Sequence, residues 1–520
     1  MSATAAAANA DGTDAAPNRI MITVAVMGAT IVQVLDTTIV NVALPHMQGE
    51  LGATADQISW VLTSYLIATA IVMPLTGYLT DILGRKRLLL ISVAGFVASS
   101  ALCGVSQNVS EIVVFRLLQG AFGAALTPLS QAIMADAYPI EERGRAMSIW
   151  GVGVMVAPVL GPTLGGWLTD AASWRWTFYI NVPVGVISLA LASQFVAETP
   201  RRERDMDWTG LGLISLGIAS LQYMFDRGTR RDWFDSSDIR ISAALGVAGV
   251  VLFIWHAFRK RERAIFNIRI FADRNLRTAC FITFAMGIGM FGGLILQPIL
   301  LERLLDYPVM DAGLLMAPRG FSMGIAMLLI GHLDTRIDAR VSLLIGILLS
   351  ALGSYGMTLY SLQVSTFDLI WPAALQGLGF GLTFVPLATM AYATLARSQM
   401  AEAAGLYSLV RTVGSALGIS VVTTIVSHQT VVLWNDFSAY VTVYHDGLVN
   451  YLGRMHLAPN DPRGLAVVAH EVARQAEMGA LLDTFRAVTL SFLLLLPLIL
   501  FMKKPKRRGE FASQPTAGIE

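Results

Sequence analysis

Residues 118–128 read LQGAFGAALTP, and a close copy, LQGLGFGLTFVP, stands 257 residues later at 375–386. A second pair has nearly the same separation: TGYLTDILGRKRLLLIS at 76–92 and IGHLDTRIDARVSLLIG at 330–346. Self-similarity at a fixed separation indicates a duplicated architecture. The sequence therefore predicts two halves of similar fold within one chain.

The composition indicates that both halves lie in a membrane. The chain has 520 residues, of which 55% are hydrophobic and 14% are charged, whereas soluble domains carry about 25% charged residues. A net charge of +1 does not suggest nucleic acid or an acidic partner. Two cysteines, Cys103 and Cys280, both lie in apolar runs, so neither a disulfide framework nor a metal site is expected.

Apolar runs of about 20 residues predict an all-α membrane protein with 14 transmembrane helices. Of the 37 Lys and Arg residues, 24 fall in segments on the side of the N-terminus, nine on the other side and four within spans. The positive-inside rule then places both termini in the cytoplasm. The predicted spans are 20–43, 57–80, 88–106, 111–136, 144–168, 177–196, 208–225, 240–258, 276–300, 311–331, 340–360, 367–395, 403–427 and 483–502.

The repeat divides these spans into two six-helix bundles, with two extra helices between them. Parallel halves of this kind are a transporter architecture, with the substrate site at the interface. The long extracytoplasmic loop 428–482 is predicted to form a small cap or to contact a partner, and the alternative is a plain solvated loop. The predicted units are a disordered cytoplasmic tail 1–19, an N-terminal bundle 20–196, two additional helices 197–265, a C-terminal bundle 266–502 and a basic cytoplasmic tail 503–520.

One carboxylate stands in the middle of the first span, in TIVQVLDTTIVNVALP at 30–45. Asp36 lies about 24 Å into its helix at 1.5 Å per residue. Arg116 is similarly placed in an apolar span, and the repeat aligns it with Ala373, so the charge is not duplicated. A charge inside a membrane is costly and usually has a partner. We therefore expect Asp36 and Arg116 to pair, with Thr37 and Thr38 adding hydrogen bonds and Asn41 lying five residues farther along the helix.

Several motifs in order resemble the major facilitator superfamily, namely drug:proton antiporters of the fourteen-span EmrB/QacA group, closest to the EmrB type. They are LDTTIVNVALP at 35–45, GYLTDILGRKR at 77–87, FRLLQGAFGAA at 115–125, GVGVMVAPVLGPTLGGW at 151–167 and SWRWTFYINVPVG at 173–185. The resemblance covers about residues 18–502.

The resemblance implies a proton-coupled multidrug efflux transporter of the inner membrane, not an enzyme, that works by alternating access. Protons serve as the coupling ion, and no cofactor is implied. The implied partners are a periplasmic membrane-fusion adaptor (EmrA-like) and an outer-membrane channel (TolC-like). The alternative is proton-coupled uptake or export of one specific metabolite. An intramembrane enzyme and an ATP-driven pump are disfavoured, because the sequence has neither a His-Glu zinc motif nor a phosphate-binding loop.

Three groups of residues take roles from this resemblance. Asp36 and Arg116 are the proton-coupling pair, unless they form a purely structural pair. A conformational latch at the cytoplasmic rim comprises Gly77, Asp81, Gly84, Arg85 and Asp136, and the alternative is that these charges are anchors at the membrane surface. The antiporter helix, whose prolines bend it and whose glycines admit a neighbouring helix, carries Gly151, Pro158, Gly161, Pro162 and Gly165.

The remaining candidates are predicted to line a substrate cavity. Because arginines outnumber acids in the spans, lipophilic weak acids or neutral amphiphiles suit this cavity. Aromatic and Met side chains would form an adaptable apolar wall, although each one singly could be ordinary helix packing. The cavity candidates are Asn41, Gln119, Arg319, Arg411, Tyr65, Met155, Phe284, Met286, Met290, Phe291 and Phe384.

Overall fold

The architecture is described from a computed structural model. It describes residues 18–139, 142–201, 205–260, 268–333, 338–395, 400–442, 446–458 and 461–502. Most of the two predicted tails, residues 1–17 and 503–520, lies outside the described residues.

Within these ranges every regular element is a helix. The helices are α1 Arg19–Glu50, α2 Ala55–Val72, α3 Thr76–Leu83, α4 Arg85–Val105, α5 Val109–Gly123, α6 Leu126–Ala137, α7 Arg143–Ala171, α8 Trp176–Tyr179, α9 Asn181–Phe195, α10 Trp208–Arg227, α11 Ser237–Lys260, α12 Arg274–Pro298, α13 Val309–Leu333, α14 Ala339–Met357, α15 Thr366–Tyr392, α16 Met400–Tyr440, α17 Asp446–Arg454 and α18 Pro462–Ile499.

The prediction of an all-helical membrane protein is confirmed. In the described part of the chain, twelve helical stretches are long and apolar enough to cross a membrane, and the bent helix α7 makes a thirteenth. Helix α10, predicted as a further span, is not among them and packs against α11 and α2. The total of fourteen spans and the cytoplasmic placement of both ends therefore stay predictions.

The same helix pairs pack in both halves of the chain. In the first half α1 packs against α7, α2 against α5, and α4 against α5 and α9. In the second half the pairs are α12 with α16, α13 with α15, and α14 with α15 and α18. This correspondence is what a duplicated bundle requires, while the exact domain boundaries remain predictions.

Two seams join the halves. Along the first, α7 lies against α13 over most of its length: a Cβ at Gly151 would lie 2.8 Å from Met327 Sδ, and one at Gly313 would meet Thr163. Along the second, α16 contacts α6 and the short turn Met73–Leu75, and Thr412 lies 3.5 Å from Met73 Sδ. Both seams bring a helix of each half into direct contact.

The extra helix α10 closes the rest of the second seam. It packs against α2 on one side and α16 on the other. Ile214 and Ile218 of α10 share a small apolar cluster with Ala70 of α2 and Leu409 of α16. Farther along, the hydroxyls of Thr229 and Thr424 lie 3.0 Å apart. Helix α10 thus lies between the two bundles along this seam.

Segment 428–482 is largely helical, so the span boundaries predicted at 427 and 483 do not mark helix ends. Helix α16 continues to Tyr440, and α18 begins at Pro462. At 41 and 38 residues they are about 61 and 57 Å long at 1.5 Å per residue, against a hydrocarbon core of about 30 Å. The helices therefore project beyond the membrane, with the short helix α17 between them.

Helix α7 is bent where its prolines fall. Its two parts, Arg145–Pro158 and Leu160–Ala171, meet at 41°. A proline inside a helix removes a backbone hydrogen bond and crowds the preceding turn. Beyond the bend, α7 lies directly on α1: a Cβ at Gly165 would lie 2.8 Å from the carbonyl oxygen of Ile39, and one at Gly161 would meet the Thr38 side chain.

This contact predicts that Gly165→Ala destabilises the protein. The added methyl group would press on the Ile39 backbone, and overpacking of this kind costs about 1–3 kcal/mol. Thermal unfolding of the purified protein should show a lowered midpoint. Gly212→Ala in α10 is the matched control, because a Cβ there has no atom within 4 Å. Equal midpoints for the two variants would contradict the close α1–α7 contact.

Candidate functional site

Asp36 and Arg116 form an ion pair sealed inside the first half. Both side chains are fully buried, and Arg116 Nη1 lies 2.5 Å from Asp36 Oδ2. The other carboxylate oxygen, Oδ1, accepts hydrogen bonds from Gln119 Nε2 at 2.9 Å and Asn181 Nδ2 at 3.0 Å. Both oxygens of the carboxylate are thus satisfied.

Arg116 is held from several sides. Its Nε donates to the carbonyl of Val61 at 2.9 Å, and its Nη1 also donates to Gln119 Oε1 at 2.9 Å. The guanidinium carbon lies 4.2 Å from the ring centre of Tyr65 and 5.7 Å from that of Phe178. Aromatic faces stabilise a cation by their quadrupole. Helices α1, α2, α5, α8 and α9 therefore all meet at one pair of charges.

A proton is the simplest ligand that can change this cluster. Protonation of Asp36 would remove its charge and leave Arg116 without a counter-ion in a buried site. Breaking a buried ion pair in this way is strongly unfavourable unless the uncompensated charge gains water or another partner. The arrangement thus links the protonation of one carboxylate to the packing of several helices.

The expected hydrogen bonds from neighbours along α1 do not form. Thr37 Oγ1 donates to the carbonyl of Val34, Thr38 Oγ1 to that of Leu35, and Asn41 Nδ2 to that of Thr37. Asn41 is exposed and bonded to its own helix. Hydroxyl groups in helices commonly return to the carbonyl three or four residues back, which leaves none of them for Asp36.

The sequence analysis missed Asn181 as a partner of the carboxylate. Asn181 Nδ2 also lies 3.0 Å from Ser100 Oγ, and the Asn181 side chain is fully buried. The available signal was an amide inside the apolar motif INVPVG. Two predicted cavity residues, Gln119 and Tyr65, belong to this cluster and are buried in it.

The second half contains a buried arginine of a different kind. Arg319 on α13 is 6% exposed. Its Nη1 donates to Gln297 Oε1 and its Nη2 to the carbonyl of Met290, both at 3.2 Å, and its guanidinium lies 5.4 Å from the ring centre of Phe380. All of these partners are neutral. Among the residues that the structure describes, no carboxylate lies within 4 Å of Arg319.

Arg411 lies close to the seam between the halves. Its guanidinium is 5.8 Å from the ring centre of Phe384, which stacks on Trp150 of α7 with ring centres 6.4 Å apart. Phe380 and Phe384 are one turn apart on α15, so the two arginines lie over neighbouring rings. Within the described ranges, Arg411 likewise has no carboxylate within 4 Å.

The other predicted cavity residues are scattered over different environments. Phe284, Met290 and Phe384 are half-buried, whereas Met286 is buried in the main apolar core. The side chains of Met155 and Phe291 lie outside the described residues. The structure therefore pairs Arg319 with Met290 and Arg411 with Phe384, and it does not join all the predicted residues in one described pocket.

The predicted latch contains an ion pair between Arg85, the first residue of α4, and Asp136 near the end of α6. Gly84 has φ +83°, and a Cβ there would meet the Glu198 carboxylate. Gly84 is therefore needed for both its conformation and its size. Asp81 lies on α3, one turn before Arg85. A Cβ at Gly77 would have no atom of the described residues within 4 Å in this conformation.

Comparisons with known proteins agree with this architecture. The model of the Major Facilitator Superfamily matches residues 26–419. The chain is 34% identical to the multidrug export protein EmrB of Haemophilus influenzae over 94% of this chain and 96% of that protein. It is also 34% identical to the fatty acid resistance protein FarB of Neisseria gonorrhoeae over 92% of this chain and 95% of that protein.

A solved structure with a similar fold is that of the human organic anion transporter MFSD10 (TETRAN). The TM-score is 0.60 at 14% sequence identity, covering 93% of this chain and 100% of the other. At this identity the likeness concerns the fold alone.

The buried pair predicts strongly non-additive effects of mutation. Asp36→Leu or Arg116→Met alone leaves a buried charge without its partner and should cost about 3–5 kcal/mol. The double variant Asp36→Leu/Arg116→Met removes both charges and should recover much of the lost stability. Thermal unfolding of the three purified variants measures this coupling. A double variant whose loss equals the sum of the single losses would contradict a direct ion pair.

Proposed function

Since the chain belongs to the Major Facilitator Superfamily of membrane transporters, and is an EmrB-type, multi-pass inner-membrane protein, we propose that it exports lipophilic drug-like compounds in exchange for protons. The observation that supports this proposal most directly is the buried Asp36–Arg116 pair. Five helices contact this one buried pair through Asp36, Val61, Arg116, Phe178 and Asn181. Asp36 carries the proton. Arg116 keeps its positive charge throughout, so it needs a counter-ion or water both when Asp36 is ionised and when Asp36 is protonated.

Alternating access follows from this linkage. With Asp36 ionised, the pair holds α1 and α5 together. With Asp36 protonated, the cluster loosens and the two halves can rearrange about the α7–α13 seam. Beyond its bend, α7 contacts α1 at Thr38 and Ile39, which follow Asp36 by two and three residues. A protonation event is thereby transmitted to the helices that separate the two sides of the membrane.

The available energy is sufficient. One proton moving down a potential of 100 mV yields about 2.3 kcal/mol, and one pH unit adds about 1.4 kcal/mol. One proton per cycle can therefore concentrate a neutral solute several-hundred-fold, since each 1.4 kcal/mol is a factor of ten.

The substrates are lipophilic weak acids or neutral amphiphiles. Arg319 and Arg411 give the second half buried or half-buried positive charge without a described carboxylate partner. An anionic or polarised substrate group would be attracted to these charges, and the aromatic rings beside them would accept its apolar body. Among the relatives, one is named a multidrug export protein and another a fatty acid resistance protein, and a fatty acid is a lipophilic weak acid.

The rim charges act as a latch. The Arg85–Asp136 pair joins α4 to α6, and Arg87 Nε lies 3.5 Å from Glu198 Oε2 near the end of the first half. Asp136 is well exposed, so the pair adds little stability and can open and close during the cycle.

The partners are a periplasmic membrane-fusion adaptor and an outer-membrane channel. Support comes from the resemblance to the EmrB type and from the length of α16 and α18. Both helices project beyond the hydrocarbon core, and with α17 they provide an exposed helical surface on which an adaptor can dock.

Proton exchange can be tested in proteoliposomes that contain a pH-sensitive dye. The probe is 1-pyrenebutanamide, which is not ionisable in the working range and so carries no proton itself. A gradient of this amide should drive proton movement in the opposite direction through the native protein. Asp36→Asn should abolish the proton movement but retain exchange of labelled for unlabelled amide, and Asp36→Glu is the control that retains a titratable group.

Two outcomes would count against the proposal. If neither 1-pyrenebutanamide nor the related acid 1-pyrenebutyrate is moved by the native protein, export of lipophilic compounds is refuted. If Asp36→Asn still couples the amide to protons, Asp36 is a structural partner of Arg116 and another carboxylate carries the proton.

A further inference from the structure

At the 257-residue separation that relates Gln119 to Gln376, the counterpart of Asp36 is Gly293 on α12. The contacts agree with this alignment. In the first half the amide of Gln119 bonds to Asp36, and in the second half the amide of Gln376 lies next to Gly293.

The space in front of Gly293 lies beside an arginine. A Cβ at Gly293 would lie 3.7 Å from Arg319 Nη2 and 4.0 Å from Gln376 Oε1, with no closer atom. Both distances are ordinary van der Waals separations, so a methyl group at this position fits without displacing Arg319 or Gln376. In the first half, the Asp36 carboxylate bonds to both Arg116 and Gln119.

The polar groups around this space are not fully satisfied. Arg319 has only neutral hydrogen-bond partners, as described above. Gln376 is fully buried, and its Oε1 has no hydrogen-bond partner in the described structure, while its Nε2 lies 2.6 Å from Ser354 Oγ. A buried amide oxygen without a partner costs free energy. The first half has no such deficit at Gln119, because Asp36 and Arg116 engage both ends of its amide.

We propose that the space bounded by Gly293, Arg319 and Gln376 is a carboxylate-binding subsite, in which the substrate supplies the anion that Asp36 supplies in the first half. This inference rests on the proposed export function and specifies its substrate class as lipophilic carboxylates. One carboxylate oxygen accepts from Arg319 Nη2. A half-turn of the Gln376 amide brings Nε2 toward the other oxygen, since the Ser354 hydroxyl can donate to Oε1 as readily as it accepts from Nε2.

The apolar part of such a substrate also has a defined surface. Phe380 lies beneath the Arg319 guanidinium, and Phe384 lies one turn farther along α15 toward the seam with α7. Phe380 is itself buried against Phe492, whereas Phe384 is half-buried, so the hydrocarbon body of a carboxylate at Arg319 contacts the Phe384 ring. The two halves then have separate tasks: the first holds the proton site and the second holds the anion.

The test compares 1-pyrenebutyrate with its neutral analogue 1-pyrenebutanamide in equilibrium binding to the purified full chain. A charge-assisted bond to a buried guanidinium predicts that the native protein binds the acid about ten- to a hundredfold more tightly than the amide. Gly293→Asp places a carboxylate beside Arg319 and should remove this preference while amide binding persists. Arg319→Gln should also remove it, and Arg319→Lys should keep most of it.

Two matched controls separate charge from size. Gly293→Ala adds only a methyl group at ordinary contact distance and should keep the preference. Gly293→Asn introduces a side chain of the same shape as aspartate but without its charge, so it cannot neutralise the Arg319 guanidinium. Thermal unfolding should therefore show a higher midpoint for Gly293→Asp than for Gly293→Asn, and 1-pyrenebutyrate should raise the midpoint of the native protein but not that of Gly293→Asp.

Several results would overturn the inference. Equal binding of acid and amide by the native protein would do so, as would an unchanged preference in Gly293→Asp. A preference that is lost in Arg411→Gln but kept in Arg319→Gln would assign the anion to the other arginine. These binding results do not depend on transport, so they are distinguishable from a failure of the export function, in which the native protein moves neither probe.

Discussion

The first half of this protein is organised around one buried pair of charges. Placing Asp36 and Arg116 away from water carries a desolvation penalty of several kcal/mol per ion, which close pairing and additional hydrogen bonds must offset. The structure provides both, since Gln119 and Asn181 donate to the carboxylate and the Val61 carbonyl accepts from the guanidinium. These partners come from different helices, so the need to satisfy two charges determines how those helices meet.

The two halves repeat the packing of their helices but not their charges. Gln119 and Gln376 stand at matching positions, yet Gly293 replaces the acid and Arg319 approaches from a different helix. Two halves with the same helix packing but different charged side chains can bind different ligands. The proposed proton site is a complete ion pair, and the proposed substrate site is an arginine whose carboxylate comes from outside. Helix α13, which carries Arg319, also packs against α7 of the first half.

Sequence analysis predicted the membrane fold and the Asp36–Arg116 pair, because a lone charge in an apolar span demands a partner. It missed Asn181, because a neutral amide in an apolar run does not demand a partner as a charge does, and it wrongly favoured Thr37 and Thr38, which bond to their own helix. The lengths of α16 and α18 were missed because the apolar composition that marks a span stops at the membrane surface. A helix can continue past that point into water, as both of these do. The surroundings of Gly293 could not be predicted, because they are set by Arg319 and Gln376 on two other helices.

The central claim is that substrate binding and the protonation of Asp36 are linked. The most direct measurement is calorimetric binding of 1-pyrenebutanamide to the purified protein in several buffers that differ in their ionisation enthalpy. The account predicts that the heat of binding depends on the buffer for the native protein, because a proton is released, and that this dependence disappears in Asp36→Asn. The same buffer dependence in both proteins would contradict the account and move the coupling proton to another group.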